Sequence, residues 1–185
     1  MAPGTAQGWA ASFGTGCWLC SQTRAVYELQ PYSGRYIWAF PDNPGQPEWG
    51  PHLLPDGTKV WDLVANGDTG RLPFTPRFRR RGGGPQIGDL LWTGTATMKV
   101  ASRRFVDVLQ SVHATGYRTF EIDLVDGRKR PIPGFVGLAV DLEAPPEADV
   151  RSTQPWQSFV FLITDSLMEA LRRADVTRYR HTRRQ

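Results

Sequence analysis

The chain has 185 residues, 40% apolar and 11% aromatic with seven Trp, and 22 basic against 18 acidic side chains leave a net charge of +4. One globular domain over 1–185 is expected, and a disordered chain is excluded. The opening residues lack a signal-like apolar stretch, no later run approaches the roughly 20 residues of a membrane span, and two cysteines make no disulfide framework, so a reducing cytoplasm is expected.

Residues 1–16 are small and polar and read as a loose terminus. A short strand follows over 24–29, with Ala25, Tyr27 and Leu29 on one face, and a second over 36–40 ends at the turn-forming cluster 41–45. Asp56-Gly57, between Leu53-Leu54 and Val60-Trp61, predicts a hairpin. The run 77–84 reads as a basic, Gly-rich loop.

The informative half is 90–182. Met98, Lys99 and Val100 predict a strand, Ser102 a helix N-cap, and Phe105, Val108, Leu109 and Val112 one apolar helix face ended by Gly116. Residues 117–125 alternate as one strand with Phe120, Ile122 and Leu124 on one side; Asp126-Gly127 turns it, and 137–142 returns. Near the C-terminus the pattern recurs. Phe161 to Ile163 predict a strand, Thr164 a cap, and Leu167, Ala170, Leu171 and Ala174 a helical stripe. At an offset of 62, Leu109 matches Leu171, Thr115 Thr177, Tyr117 Tyr179 and Arg118 Arg180. The fold class expected is α+β: mainly antiparallel sheet, two capped helices and a duplicated strand-helix-strand unit.

Chemistry is harder to find. Cys17 and Cys20 have the spacing of half a zinc site or of a redox pair, but there is no second cysteine pair, and His52, His113 and His181 are scattered, so no metal or other cofactor is expected. A strained nucleophile elbow is absent, and Gly82-Gly83-Gly84-Pro85 lacks both phosphate-loop spacing and a backbone donor. An enzyme is therefore not expected. Two arginine clusters remain: Arg77, Arg79, Arg80 and Arg81 with Phe74 and Phe78, and Arg178, Arg180, Arg183 and Arg184 with Tyr179. Arginine among aromatics suits phosphate contact and base stacking, and suits a protein interface equally.

The run from Val100 to Leu109 (VASRRFVDVL), followed by Ala114 to Phe120 (ATGYRTF), resembles the eleventh numbered immunity family of bacterial polymorphic-toxin systems, which is catalogued also as a domain of unknown function. The stretch 162–171 is similar to that family's final strand and helix, so the resemblance spans about 90–179. It implies a cytoplasmic antidote that binds a cognate toxin protein and blocks it, without catalytic residues. Trp38, Trp49 and Trp61, with Arg79 and Arg80, are then the candidate partner-binding residues, although each Trp reads also as core. The rival reading is a basic nucleic-acid-binding accessory protein.

Overall fold

The computed structural model describes residues 26–31, 38–41, 52–81, 87–93, 98–153 and 160–184; for Trp38 to Pro41, Ala65 and Arg81 it describes the backbone alone. The expected loose terminus, Cys17, Cys20, Trp49 and Gly82 to Gly84 lie outside the described residues. The fold is α+β with mainly antiparallel sheets.

The first strand, β1 (Val26–Pro31), buries Tyr27 and Leu29 on one face, as their alternation requires. After β2 (Trp38–Pro41), the turn at Asp56-Gly57 forms: Gly57 takes φ 83°, and Asp56 Oδ1 accepts from the Thr58 N–H at 2.9 Å. The expected hairpin does not follow. A single bridge joins Leu53 to Lys59, and the chain then enters α1 (Val60–Asn66), capped by left-handed Gly67. Val60, Leu63 and Val64 are spaced for a helix face, and all three are buried. The run expected as a basic loop is strand β3 (Arg77–Arg81), held between two neighbours, and the chain continues into β4 (Leu90–Thr93).

From there the expected duplication is built, except that Val112 and Ala174, expected on the helix stripes, are exposed caps beyond the helix ends. Strand β5 (Met98–Ser102), α2 (Arg103–Ser111) and β6 (Tyr117–Phe120) correspond at an offset of 62 to β10 (Phe161–Thr164), α3 (Asp165–Arg173) and β11 (Tyr179–Arg184). Ser102 and Thr164 are the N-caps, their oxygens accepting from the N–H groups of Phe105 at 3.2 Å and Leu167 at 3.4 Å. The buried residues of α2 are Phe105, Val106, Val108 and Leu109, and those of α3 are their equivalents Leu167, Met168, Ala170 and Leu171. Burying each of the larger ones stabilises by roughly 1.5–3 kcal/mol. Gly116 does not end α2. His113 does, in the left-handed conformation (φ 52°), as Asp175 (φ 53°) does after α3.

The equivalence extends to the sheets. One has the order β11-β1-β10-β9, with β9 at Val150–Ser152, and the other the order β6-β8-β5-β4-β2-β3-β7, with β7 at Asp123–Val125 and β8 at Phe135–Val140. Tyr117 stands opposite Val140 and Ser102 opposite Phe135, just as Tyr179 stands opposite Pro31 and Thr164 opposite Val26. Leu90 faces Ala101 as Val150 faces Ile163. The first strand therefore occupies in one unit the slot that β8 occupies in the other.

The continuous strand expected over 117–125 is broken at Glu121 and Ile122, since β6 pairs with β8 while β7 pairs, parallel, with β3. The longer sheet curls so far that its two outer strands are separated along the chain by those two residues alone. One core joins the inner faces of both sheets to α2 and α3; a second, with Phe78, Met98, Val100, Phe120 and Leu124, fills the curl under α1. Gly137 is needed there, because a Cβ would meet the Phe120 ring at 2.2 Å.

Candidate functional site

Each unit carries an aspartate that clasps the other. Asp89, just before β4, accepts from its own cap Ser102 Oγ at 2.7 Å, from Arg104 Nε at 2.6 Å and Nη2 at 2.8 Å, and from the Arg178 N–H of the second unit at 3.0 Å. Asp149, just before β9, accepts from its own cap Thr164 Oγ1 at 3.1 Å, and from Thr115 of the first unit through N–H at 3.1 Å and Oγ1 at 3.2 Å. The reciprocity is shifted by one residue, and Gly116 absorbs the difference: its φ is 86°, and a Cβ there would lie 2.0 Å from the Val150 carbonyl oxygen. Burial pushes the Asp89 carboxyl up, but the hydrogen bonds from Arg104, Ser102 and Arg178 and the Arg104 charge outweigh it, leaving it below its ordinary value. These residues join the units and fix where α3 delivers the chain to β11.

The two arginine clusters have different settings. Arg79 and Arg80 sit half-buried on β3, opposite Phe40 and Ala39 of β2, with β7 on the other side, so they belong to a strand and not to an exposed loop. Trp61 is half-buried on α1, its ring centroid 5.7 Å from Phe78 and 5.1 Å from buried His52, and so packs against the second core. Trp38 lies on β2 opposite Arg81 and Trp92, and the structure does not describe its side chain.

The second cluster lies on the rim of the smaller sheet. Arg172 and Arg173 occupy the last turn of α3, where the helix dipole favours cations. Tyr179 anchors the next strand: it is buried, its ring is 6.1 Å from Phe105, and its hydroxyl donates to Met168 Sδ at 3.6 Å. Burial pushes that phenol up to about 12. Beyond it Arg180, His181, Thr182, Arg183 and Arg184 are all exposed. The His181 ring lies edge-on, 5.9 Å from Tyr27 and 6.1 Å from Tyr179, while the Arg172 guanidinium stands 5.4 Å over the Tyr27 ring. Arg184 is tied to buried Glu28, its Nε 2.6 Å from Oε2.

This rim was legible in the sequence as a run of arginines and aromatics, but not as the outer strand of a sheet. It sets guanidinium and imidazole groups on hydrogen-bonded backbone, backed by buried aromatics. Among the described residues, no three His, Cys, Asp or Glu side chains converge as metal ligands, and no helix is long and apolar enough to cross a membrane. No protein-family model and no curated protein matches the chain.

Proposed function

We propose that the chain is an immunity protein that binds and neutralises a cognate bacterial toxin domain in the cytoplasm. The observation that carries this reading is the rim of β11 and α3, where Arg172, His181 and Arg183 are presented on regular elements over Tyr27 and Tyr179. Arg supplies much of the energy of protein interfaces, and groups held on helices and strands over buried aromatic rings lose less entropy when they bind. The sequence runs that resemble the immunity family also fall on the duplicated unit and not on unrelated elements: VASRRFVDVL covers the end of β5, its cap and α2, and the later run covers β10 and α3.

The test is co-expression with the C-terminal domain encoded by the adjacent gene. Co-purification of the two, with protection of the host cell, is the expected result. Absence of both, with retention on DNA or RNA that weakens steeply as salt rises, would favour the nucleic-acid reading.

A further inference from the structure

Strand β11 is the outer strand of its sheet among the described residues, and its hydrogen-bonding edge can be worked out atom by atom. In an antiparallel ladder, alternate residues exchange hydrogen bonds with the partner strand, and those between them turn N–H and C=O outward. In the first unit the Asp141 N–H donates to the Gly116 carbonyl, which makes Tyr117 opposite Val140 one of the pairs that do not exchange bonds. The second unit has the same register, with Tyr179 opposite Pro31. Two facts agree with that phase: proline has no N–H to exchange, and the Tyr179 N–H turns instead to the Thr177 carbonyl. It follows that Arg180, Thr182 and Arg184 bond to β1, while His181 and Arg183 direct N–H and C=O away from the sheet.

We infer that this edge takes up an extended, acidic segment of a partner protein as an added strand. Guanidinium groups border the outward amides on the α3 side, where Arg183 and Arg172 flank the His181 ring, while on the other face Arg184 is already paired with Glu28. In the first unit the residue equivalent to Arg180 is Arg118, whose guanidinium is engaged within the chain: it bonds the Asn66 carbonyl and faces Asp141 at 4.0 Å. A second copy of this chain would set arginines opposite arginines, and like charges directly opposite across a ladder are destabilising. Carboxylates alternating along an incoming strand would meet guanidinium groups while its backbone meets the two outward N–H groups.

The inference deepens the proposed toxin binding and rests on the same rim, but it is tested without a toxin. The probe is a ten-residue peptide of alternating Thr and Glu, titrated into the full chain at low ionic strength. Amide hydrogen exchange is expected to slow at His181 and Arg183, with the peptide's Gln counterpart binding about tenfold more weakly because charge-assisted bonds are lost. Arg183→Pro removes an outward N–H without touching the bonds to β1, and proline is tolerated at such edge positions, so this variant should keep its unfolding midpoint and lose the peptide. Arg183→Gln should lose only the share due to charge. Should Arg183→Pro fail to fold, exchange in the unmodified protein still decides.

No slowing at those two amides, equal binding of a Lys-for-Glu peptide, tighter binding of single-stranded DNA at the same amides, or self-association that protects them would each overturn the inference. If the acidic peptide docks but the adjacent gene product does not, the edge assignment stands and the immunity reading falls. If the toxin domain binds while His181 and Arg183 exchange as in the free protein, the edge assignment falls alone.

Discussion

Replacing Asp89 by Ala should be among the most damaging single changes to this fold. Only 2% of Asp89 is exposed, and it accepts four hydrogen bonds from three residues of both units. The Arg104 side chain is 49% exposed and regains water when the carboxylate goes, so its share is small. The Ser102 hydroxyl and the Arg178 N–H, by contrast, lose a charged acceptor at a cost of about 1.5 kcal/mol each, for a total of about 3–4 kcal/mol. Asp149→Ala should cost about half as much, since Asp149 is only half-buried and its Thr115 donors are exposed and regain water. Urea unfolding at neutral pH measures both.

The pH dependence supplies a second check. A carboxyl held below its ordinary value of 3.8 in the folded state contributes in full above about pH 4 and loses that contribution as pH falls through the lowered value. The gap between the parent and Asp89→Ala should therefore narrow in acid. Equal losses for Asp89→Ala and Asp149→Ala, or a loss below about 1 kcal/mol for Asp89→Ala, would refute the clasp as the joint between the units.

Ser102→Ala and Thr164→Ala should each lower the urea midpoint by an amount equivalent to about 0.5–2 kcal/mol, and unmoved midpoints would count against equivalent caps. Gly116→Ala should cost about 2–4 kcal/mol, because its Cβ would strike backbone, whereas Gly57→Ala, left-handed in open space, should cost about 1 kcal/mol by the same assay. Burial lowers Lys99 to about 7, so between there and about pH 10 the unfolded chain binds a proton that the folded chain does not. Stability should thus rise with pH across that window, by at most on the order of 4 kcal/mol, and Lys99→Met should flatten the rise. Above about pH 10 the trend should reverse as Tyr179, held up to about 12, keeps its proton only in the folded chain.

The parts of the fold legible in the sequence are those governed by local chemistry. A hydroxyl at the cap and apolar residues at helical spacing placed α2 and α3, and the offset of 62 holds from cap to exit strand because the helices and the connections after them are equal in length. What escaped was decided by distant partners. Val60-Trp61 after a Gly turn suits a hairpin, and Val60, Leu63 and Val64 become a helix face only because the second core lies beneath them. Arg77 to Arg81 has the composition of a loop, yet β2 and β7 on either side satisfy its backbone and make it a strand. Phe120, Ile122 and Leu124 alternate without interruption, and nothing local shows that β6 and β7 belong to opposite ends of one ladder. At the candidate site the arginines were visible, but the outward amides of His181 and Arg183 follow from register, which no spacing encodes.

Because β1 fills the slot that β8 fills in the other unit, the two halves must assemble on different schedules. All the equivalent strands of the first unit lie within residues 90–140, so its sheet closes through short loops. The second cannot close until Val26 meets Arg184 and Thr164, well over a hundred residues away, and closing so long a loop is entropically costly and slow. The first unit should therefore serve as the folding nucleus. Until β1 arrives, β10 and β11 have no strand between them, and their facing edges are open to pairing with other chains.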